Sequence, residues 1–101
     1  MENKYTVKLL PRAYRDLDSI YAYLAETLLE PVIAVKLVDS LEEAIFSLES
    51  MPQRNALRKI GAYANKRYRQ LFVGNFTILY RVEESKKRVL IVTIRYSKSM
   101  F

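Results

Sequence analysis

The spacing of apolar residues changes once along this chain, and the change limits what it can fold into. From Pro11 to Leu48 apolar side chains recur at steps of three and four. From Arg67 onward they alternate or run together. The first spacing marks one face of an α-helix, the second a strand. Ala13, Leu17, Ile20, Tyr21, Leu24 and Leu28 make one stripe, with Arg12, Arg15, Asp18, Ser19 and Glu26 on other faces. Pro11 suits a first helical turn, where its missing N–H is not needed. Leu10 before it offers no side-chain cap. After a break at Leu29-Glu30-Pro31 a second stripe follows: Ala34, Leu37, Val38, Leu41, Ala44, Ile45 and Leu48. Pro52 ends it. So short a connection predicts an antiparallel helical hairpin.

Strand signals lie on both sides. Tyr5, Val7 and Leu9 alternate with Thr6 and Lys8, a short strand with one buried face. Gln53 to Ala64 has no clean period and reads as a basic loop with room for one helical turn. Arg67 to Val73 is strand-like, and Val73-Gly74-Asn75-Phe76 is a hairpin turn. In the next run Phe76, Ile78, Tyr80 and Val82 share one face, and Thr77, Leu79 and Arg81 the other. Glu83 to Lys87 is a charged turn. Arg88 to Arg95 is almost continuously apolar or β-branched, as in a central strand covered on both faces. The expected fold is α+β, in the order β-α-α-β-β-β. The helical hairpin packs on one face of a small, mostly antiparallel twisted sheet, in a single domain over 1–101. The other sheet face, with Thr77, Leu79 and Arg81, is expected to be partly open. Arg69 is expected to pair with Asp16 or Asp18.

Charge is unevenly spread. Residues 1–50 hold five Lys/Arg and nine Asp/Glu, whereas residues 51–101 hold twelve and two. A half with net +10 implies a polyanionic target or an acidic protein partner. The chain has no Cys and no His, so thiolate and imidazole chemistry are excluded, and neither a metal nor a cofactor is expected. No apolar run approaches the ~20 residues of a membrane span. Met1-Glu2-Asn3-Lys4-Tyr5 lacks the layout of a secretory signal, so a cytoplasmic protein is expected.

The order of certain pieces carries a family likeness. A strand precedes Pro11-Arg12-Ala13-Tyr14-Arg15-Asp16-Leu17, with Ile20 and Tyr23. Ala34, Leu37, Leu41, Leu48 and Pro52 follow. Then come Tyr68-Arg69-Gln70-Leu71, Gly74, Ile78-Leu79-Tyr80-Arg81-Val82 and Val92-Thr93-Ile94-Arg95-Tyr96. Over essentially the whole chain this resembles the RelE/ParE superfamily, the toxins of bacterial type II toxin–antitoxin pairs. The resemblance implies a growth inhibitor neutralised by a cognate antitoxin with an acidic segment. RelE-type members cut messenger RNA on the ribosome; ParE-type members poison DNA gyrase without chemistry of their own. The long helical region 11–50 is more like ParE.

RelE-type enzymes place an arginine where this chain has Thr77. They place two lysines where it has Tyr68 and Gln70, and some relatives place a catalytic histidine near Ser97. The nuclease set is therefore mostly missing. Arg81, Arg95 and Tyr96 remain as catalytic candidates, so enzymatic activity stays open at this stage. Arg67, Tyr68, Thr77, Leu79, Arg81, Arg95, Tyr96 and Lys98 are the candidate surface for antitoxin or target. Tyr14 and Tyr23 are either exposed interface tyrosines or half-buried packing. The ending Lys98-Ser99-Met100-Phe101 departs from the arginine-rich ending common in the family. Three functions remain: a non-catalytic gyrase inhibitor, favoured by Thr77; a ribosome-dependent, metal-free endoribonuclease; and a non-toxic nucleic-acid-binding module.

Overall fold

A computed structural model describes residues 4–99. Strand β1 (Thr6–Leu9) leads into helix α1 (Pro11–Ala22), a wide π-helical turn (Tyr23–Thr27) and helix α2 (Pro31–Phe46). After an irregular stretch come β2 (Arg69–Val73), β3 (Phe76–Glu83) and β4 (Arg88–Tyr96). The sheet order is β1-β4-β3-β2. Strand β1 runs parallel to β4, and the other pairs are antiparallel. The nearly unbroken apolar run of β4 is thus an interior strand, as its composition requires.

The helical hairpin supplies half of the core. Ala13 and Leu17 of α1, with Leu41 and Ile45 of α2 and Leu48 after it, pack on Ile78, Tyr80, Val89, Ile91 and Ile94 of the sheet. The span from Val89 through Ile91 to Ile94 includes an odd step, which a regular strand cannot place on one face. A bulge resolves it. Tyr80 faces Ile91 but Leu79 faces Thr93, leaving Val92 as an extra residue that turns the rest of β4 over.

Where the stripe reading fails, the cause is local. Tyr21 and Leu28 were expected in the buried stripe, but both are exposed. Leu28 follows the wide turn, where its N–H bonds Tyr23 O instead of the carbonyl four residues back. Tyr21 stands at the outer seam between the helices, lining a groove with Tyr14, Asp18, Val38 and Phe46. Tyr14 and Tyr23 are exposed as well.

The uncapped start of α1 is solved by the sheet. Leu10 is extended, with no side-chain cap, and its N–H donates to Ile91 O at 2.9 Å. At the far end of the hairpin, Arg54 donates to Ser50 O and the Ser47 hydroxyl, placing a cation at a helix C-terminus. The Tyr5 hydroxyl donates to Glu84, and Gln53 donates to both. These hydrogen bonds from Gln53 and Tyr5 hold the Glu84 carboxyl below the usual carboxylate range.

Asp16 is where α1 is fastened to the centre of the sheet. Its carboxylate accepts the Thr93 hydroxyl at 2.5 Å and the Ile94 backbone N–H at 3.0 Å. Thr93 and Ile94 are both buried, so neither donor has water as an alternative. Asp16→Ala is expected to cost about 3 kcal/mol, because it strands two buried donors of a charge-assisted pair of bonds. Arg12→Ala removes only the half-exposed partner of Asp16 at 3.7 Å and is expected to cost less than about 1 kcal/mol. Urea midpoints of the two variants provide the comparison. Equal small losses would mean that Asp16 does not fasten helix to sheet.

Candidate functional site

Residues 51–82 carry seven Lys/Arg and no Asp/Glu, and they fold into the irregular stretch, β2 and most of β3. Residues 55–58 run beside the edge of β2. Leu57 bridges Arg69, the Arg58 N–H donates to Tyr68 O, and the Gln70 N–H donates to Ala56 O. The expected Arg69 ion pair is replaced by this arrangement: Arg69 donates to Asn55 O at 2.6 Å and Gln53 O at 3.2 Å. Asp16 meanwhile is held by β4. Below, the Tyr80 hydroxyl donates to Pro52 O at 2.5 Å and accepts from the Asn55 amide at 3.0 Å.

The sheet face expected to be partly open is thereby changed. Thr77 and Leu79 are 0% exposed, so of the three β3 residues expected on that face only Arg81 is exposed, while Phe72, opposite Thr77 on β2, is the exposed apolar residue beside them. The remaining candidates fall into two groups. Arg81 and Tyr68 form one, with the guanidinium 5.5 Å from the Tyr68 ring centroid and Tyr63 edge-on to Tyr68 at 5.1 Å. Arg67, exposed and at φ 66°, precedes Tyr68. Tyr96 anchors the other group. It packs edge-on against Phe76 at 5.9 Å, and with Ile20, Tyr23, Leu24 and Asn75 it lines a mostly apolar groove of about 570 Å³. Arg95, before Tyr96, donates to the Thr93 hydroxyl at 3.2 Å, and Lys98 is exposed. Met100 and Phe101 lie outside the described residues.

Three positions singled out by the nuclease comparison do converge. Gln70, Thr77 and Ser97 line one pocket of about 450 Å³, and the Thr77 and Ser97 hydroxyls are 2.7 Å apart. Arg81, Arg95 and Tyr96 are not among its lining residues. Arg58 is, although its sequence context marks it only as one cation of a basic loop. It is only 8% exposed, held by Ile60 O and the Gln70 side-chain oxygen. Its one signal in the sequence is its place in residues 51–82, a stretch with seven Lys/Arg and no Asp/Glu. Neither an imidazole nor a carboxylate lines this pocket, so it presents hydroxyl and cationic groups without a general base of either kind.

Residues 7–101 match the family model for the ParE toxin of the type II toxin–antitoxin system parDE. The chain belongs to the ParE toxin family. It is a toxin component of a type II toxin–antitoxin module, and the RelE/ParE resemblance is upheld. Its fold is shared with solved structures. A chain of the chromosomal ParDE toxin–antitoxin system from P. aeruginosa matches 96% of this chain and 100% of its own, at 24% identity and a TM-score of 0.78. A chain of the RelBE2 toxin–antitoxin complex from Mycobacterium tuberculosis matches 92% and 91%, at 22% identity and 0.66. A mutant E. coli RelE toxin in the free state matches 94% and 85%, at 12% identity and 0.63. A search of curated protein sequences returned no match.

Tyr80 fastens the basic stretch of this ParE-family toxin to its core, and its chemistry is testable. Burial pushes the phenol above its ordinary value, against the lowering effects of the Asn55 hydrogen bond and the Arg69 and Arg54 charges. The group therefore supports the fold fully below the unfolded value of about 10 and loses that support as pH rises through its higher folded value. Tyr80→Phe is expected to cost about 1–3 kcal/mol near neutrality. It is also expected to flatten the alkaline loss of stability that sets in above about pH 10. Urea unfolding across that range checks both. An unchanged alkaline slope in the variant would assign the loss to other groups.

Proposed function

We propose that this toxin acts by binding and not by cutting, with DNA gyrase as its target, and that a cognate antitoxin silences it from the Phe76–Tyr96 groove. The observation that supports a non-catalytic mode is the pocket holding Gln70, Thr77 and Ser97. RNA cleavage without a metal needs a base for the 2′-hydroxyl and cations at the phosphorane-like charge. At the positions where nucleases of the superfamily resemble one another, this chain offers an amide and two hydroxyls. The ParE family model favours gyrase over the ribosome. Both are polyanionic assemblies in the cytoplasm, where the toxin would act. No helix among the described residues is long and apolar enough to cross a membrane.

The groove suits an antitoxin segment for reasons of shape and polarity. It is concave and mostly apolar, with Tyr23, Phe76 and Tyr96 as aromatic walls. A segment that orders on binding can lay apolar side chains into it while its acids meet the basic half of the toxin. The ParDE and RelBE2 structures come from a toxin–antitoxin system and a toxin–antitoxin complex, which supports a partner of this kind.

Induction without antitoxin is expected to arrest growth and leave transcript 5′ ends unchanged, and co-expression of an acidic neighbouring gene product is expected to restore growth. Leu24→Asp puts a charge in the groove and is expected to weaken the antitoxin by about 3 kcal/mol, more than a hundredfold in Kd. Codon-phased cuts in transcripts after induction would overturn the non-catalytic reading. Full neutralisation of Leu24→Asp would move the antitoxin to another surface.

A further inference from the structure

The outer seam of the helical hairpin carries more apolar surface than its own fold uses. Tyr14 and Tyr21 of α1 are exposed there, as are Val32, Val35 and Phe46 of α2. They line two hollows that share Tyr21. One, toward the base of the hairpin, is walled by Tyr14, Asp18, Val38, Glu42 and Phe46. The other, toward the tip, is walled by Pro31, Val32, Val35 and Lys36. Contiguous apolar surface rimmed by charge is the mark of a protein contact. The charges are divided between the hollows: two acids and no cation at the base, one cation and no acid at the tip. All three are exposed, and none belongs to an ion pair among the described residues.

We propose that this seam is a self-association surface, on which a second copy of the chain docks about a two-fold axis at the level of Asp39. Lys36 and Glu42 lie three residues to either side of Asp39 on α2, about 4.5 Å of helix each way. A two-fold at that level lays the tip hollow of each copy over the base hollow of the other. Lys36 of one copy then stands over Asp18 and Glu42 of the other, and Val32 and Val35 cover Tyr14 and Phe46. Each contact is made twice, and the arrangement closes at two copies. The division of charge is what selects this occupant. A basic peptide along the seam would meet Lys36, and an acidic one would meet Asp18 and Glu42; the chain itself, turned end for end, matches both hollows. Asp39, one turn on from Val35, faces its own mate near the axis, and this like-charge contact keeps the dimer weak and reversible. The groove at Phe76 and Tyr96 shares no lining residue with either hollow, so the inference does not rest on the antitoxin reading.

The test is sedimentation equilibrium of the full purified chain, free of antitoxin. A monomer–dimer equilibrium with a Kd on the order of 10 µM is expected, as for a small interface. Val35→Glu sets a carboxylate against Asp18 and Glu42 of the other copy and is expected to weaken the dimer at least about tenfold. Lys36→Glu is expected to weaken it similarly, and adding Glu42→Lys to that variant is expected to recover most of the loss. Asp39→Asn is expected to tighten the dimer by a few-fold, a gain that a misfolded variant cannot produce. A chain still monomeric at about 300 µM, far above that Kd, would overturn the proposal. A dimer that Val35→Glu and Asp39→Asn both leave unchanged would overturn it by placing the association on another face. A monomeric chain whose affinity for its antitoxin falls with Val35→Glu would overturn it in favour of the antitoxin as the occupant of the seam.

Discussion

The Asp16 carboxylate, accepting from Thr93 and the Ile94 N–H, is the interaction around which the rest of the molecule is arranged. It lies where α1 crosses the interior strand β4, next to the one irregularity in the sheet. The bulge at Val92 lets Ile91 and Ile94 both enter the core, and Asp16 takes up the N–H of Ile94 beyond it. A helix without an acid at that position would leave that donor buried and unpaired. A strand without the bulge would turn Ile94 away from the helices. Each irregularity makes sense only with the other, and together they set where α1 lies and so where Ile20, Tyr23 and Leu24 meet Phe76 and Tyr96.

Much of this was readable from the residues. Periodicity supplied both helices and the strand before them, the Gly74-Asn75 pair the hairpin turn, and the unbroken apolar run the interior place of β4. The hairpin turn carries positive φ at Gly74, with Val73 opposite Phe76. The failures have physical causes. Tyr21 and Leu28 fit a regular helical wheel, but the π-helical turn at Tyr23–Thr27 ends the regular wheel before Leu28. Arg69 looked like the partner of an acid on α1, yet backbone carbonyls from a stretch without periodicity reach it first. That same stretch hides Thr77 and Leu79 from the expected surface and makes a buried group of Arg58. Sequence patterns describe elements that repeat, and residues 53–66 repeat nothing.

The candidate surface was therefore only half legible. The right residue types were named, but as one face; the structure separates Arg81 and Tyr68 from Tyr96. Thr77 and Arg81 are four residue steps apart along β3, roughly 13 Å of extended chain. A reaction centre needs its acid, base and cations within hydrogen-bond reach of one phosphate. Surfaces that grip a large partner have no such need and gain area from being spread out. The spacing of these residues thus fits adhesion to a large target better than chemistry on a small one. The charge division supports the same view: a basic half to meet polyanions, and an acidic helical hairpin that contributes mainly core and groove.

The most direct test of a binding toxin is a supercoiling assay with purified protein and purified gyrase, run beside a programmed-ribosome assay on messenger RNA. The account predicts that gyrase supercoiling falls in proportion to toxin concentration, that addition of the antitoxin restores it, and that ribosome-bound messenger RNA stays intact. Intact gyrase activity together with cleaved messenger RNA would contradict it.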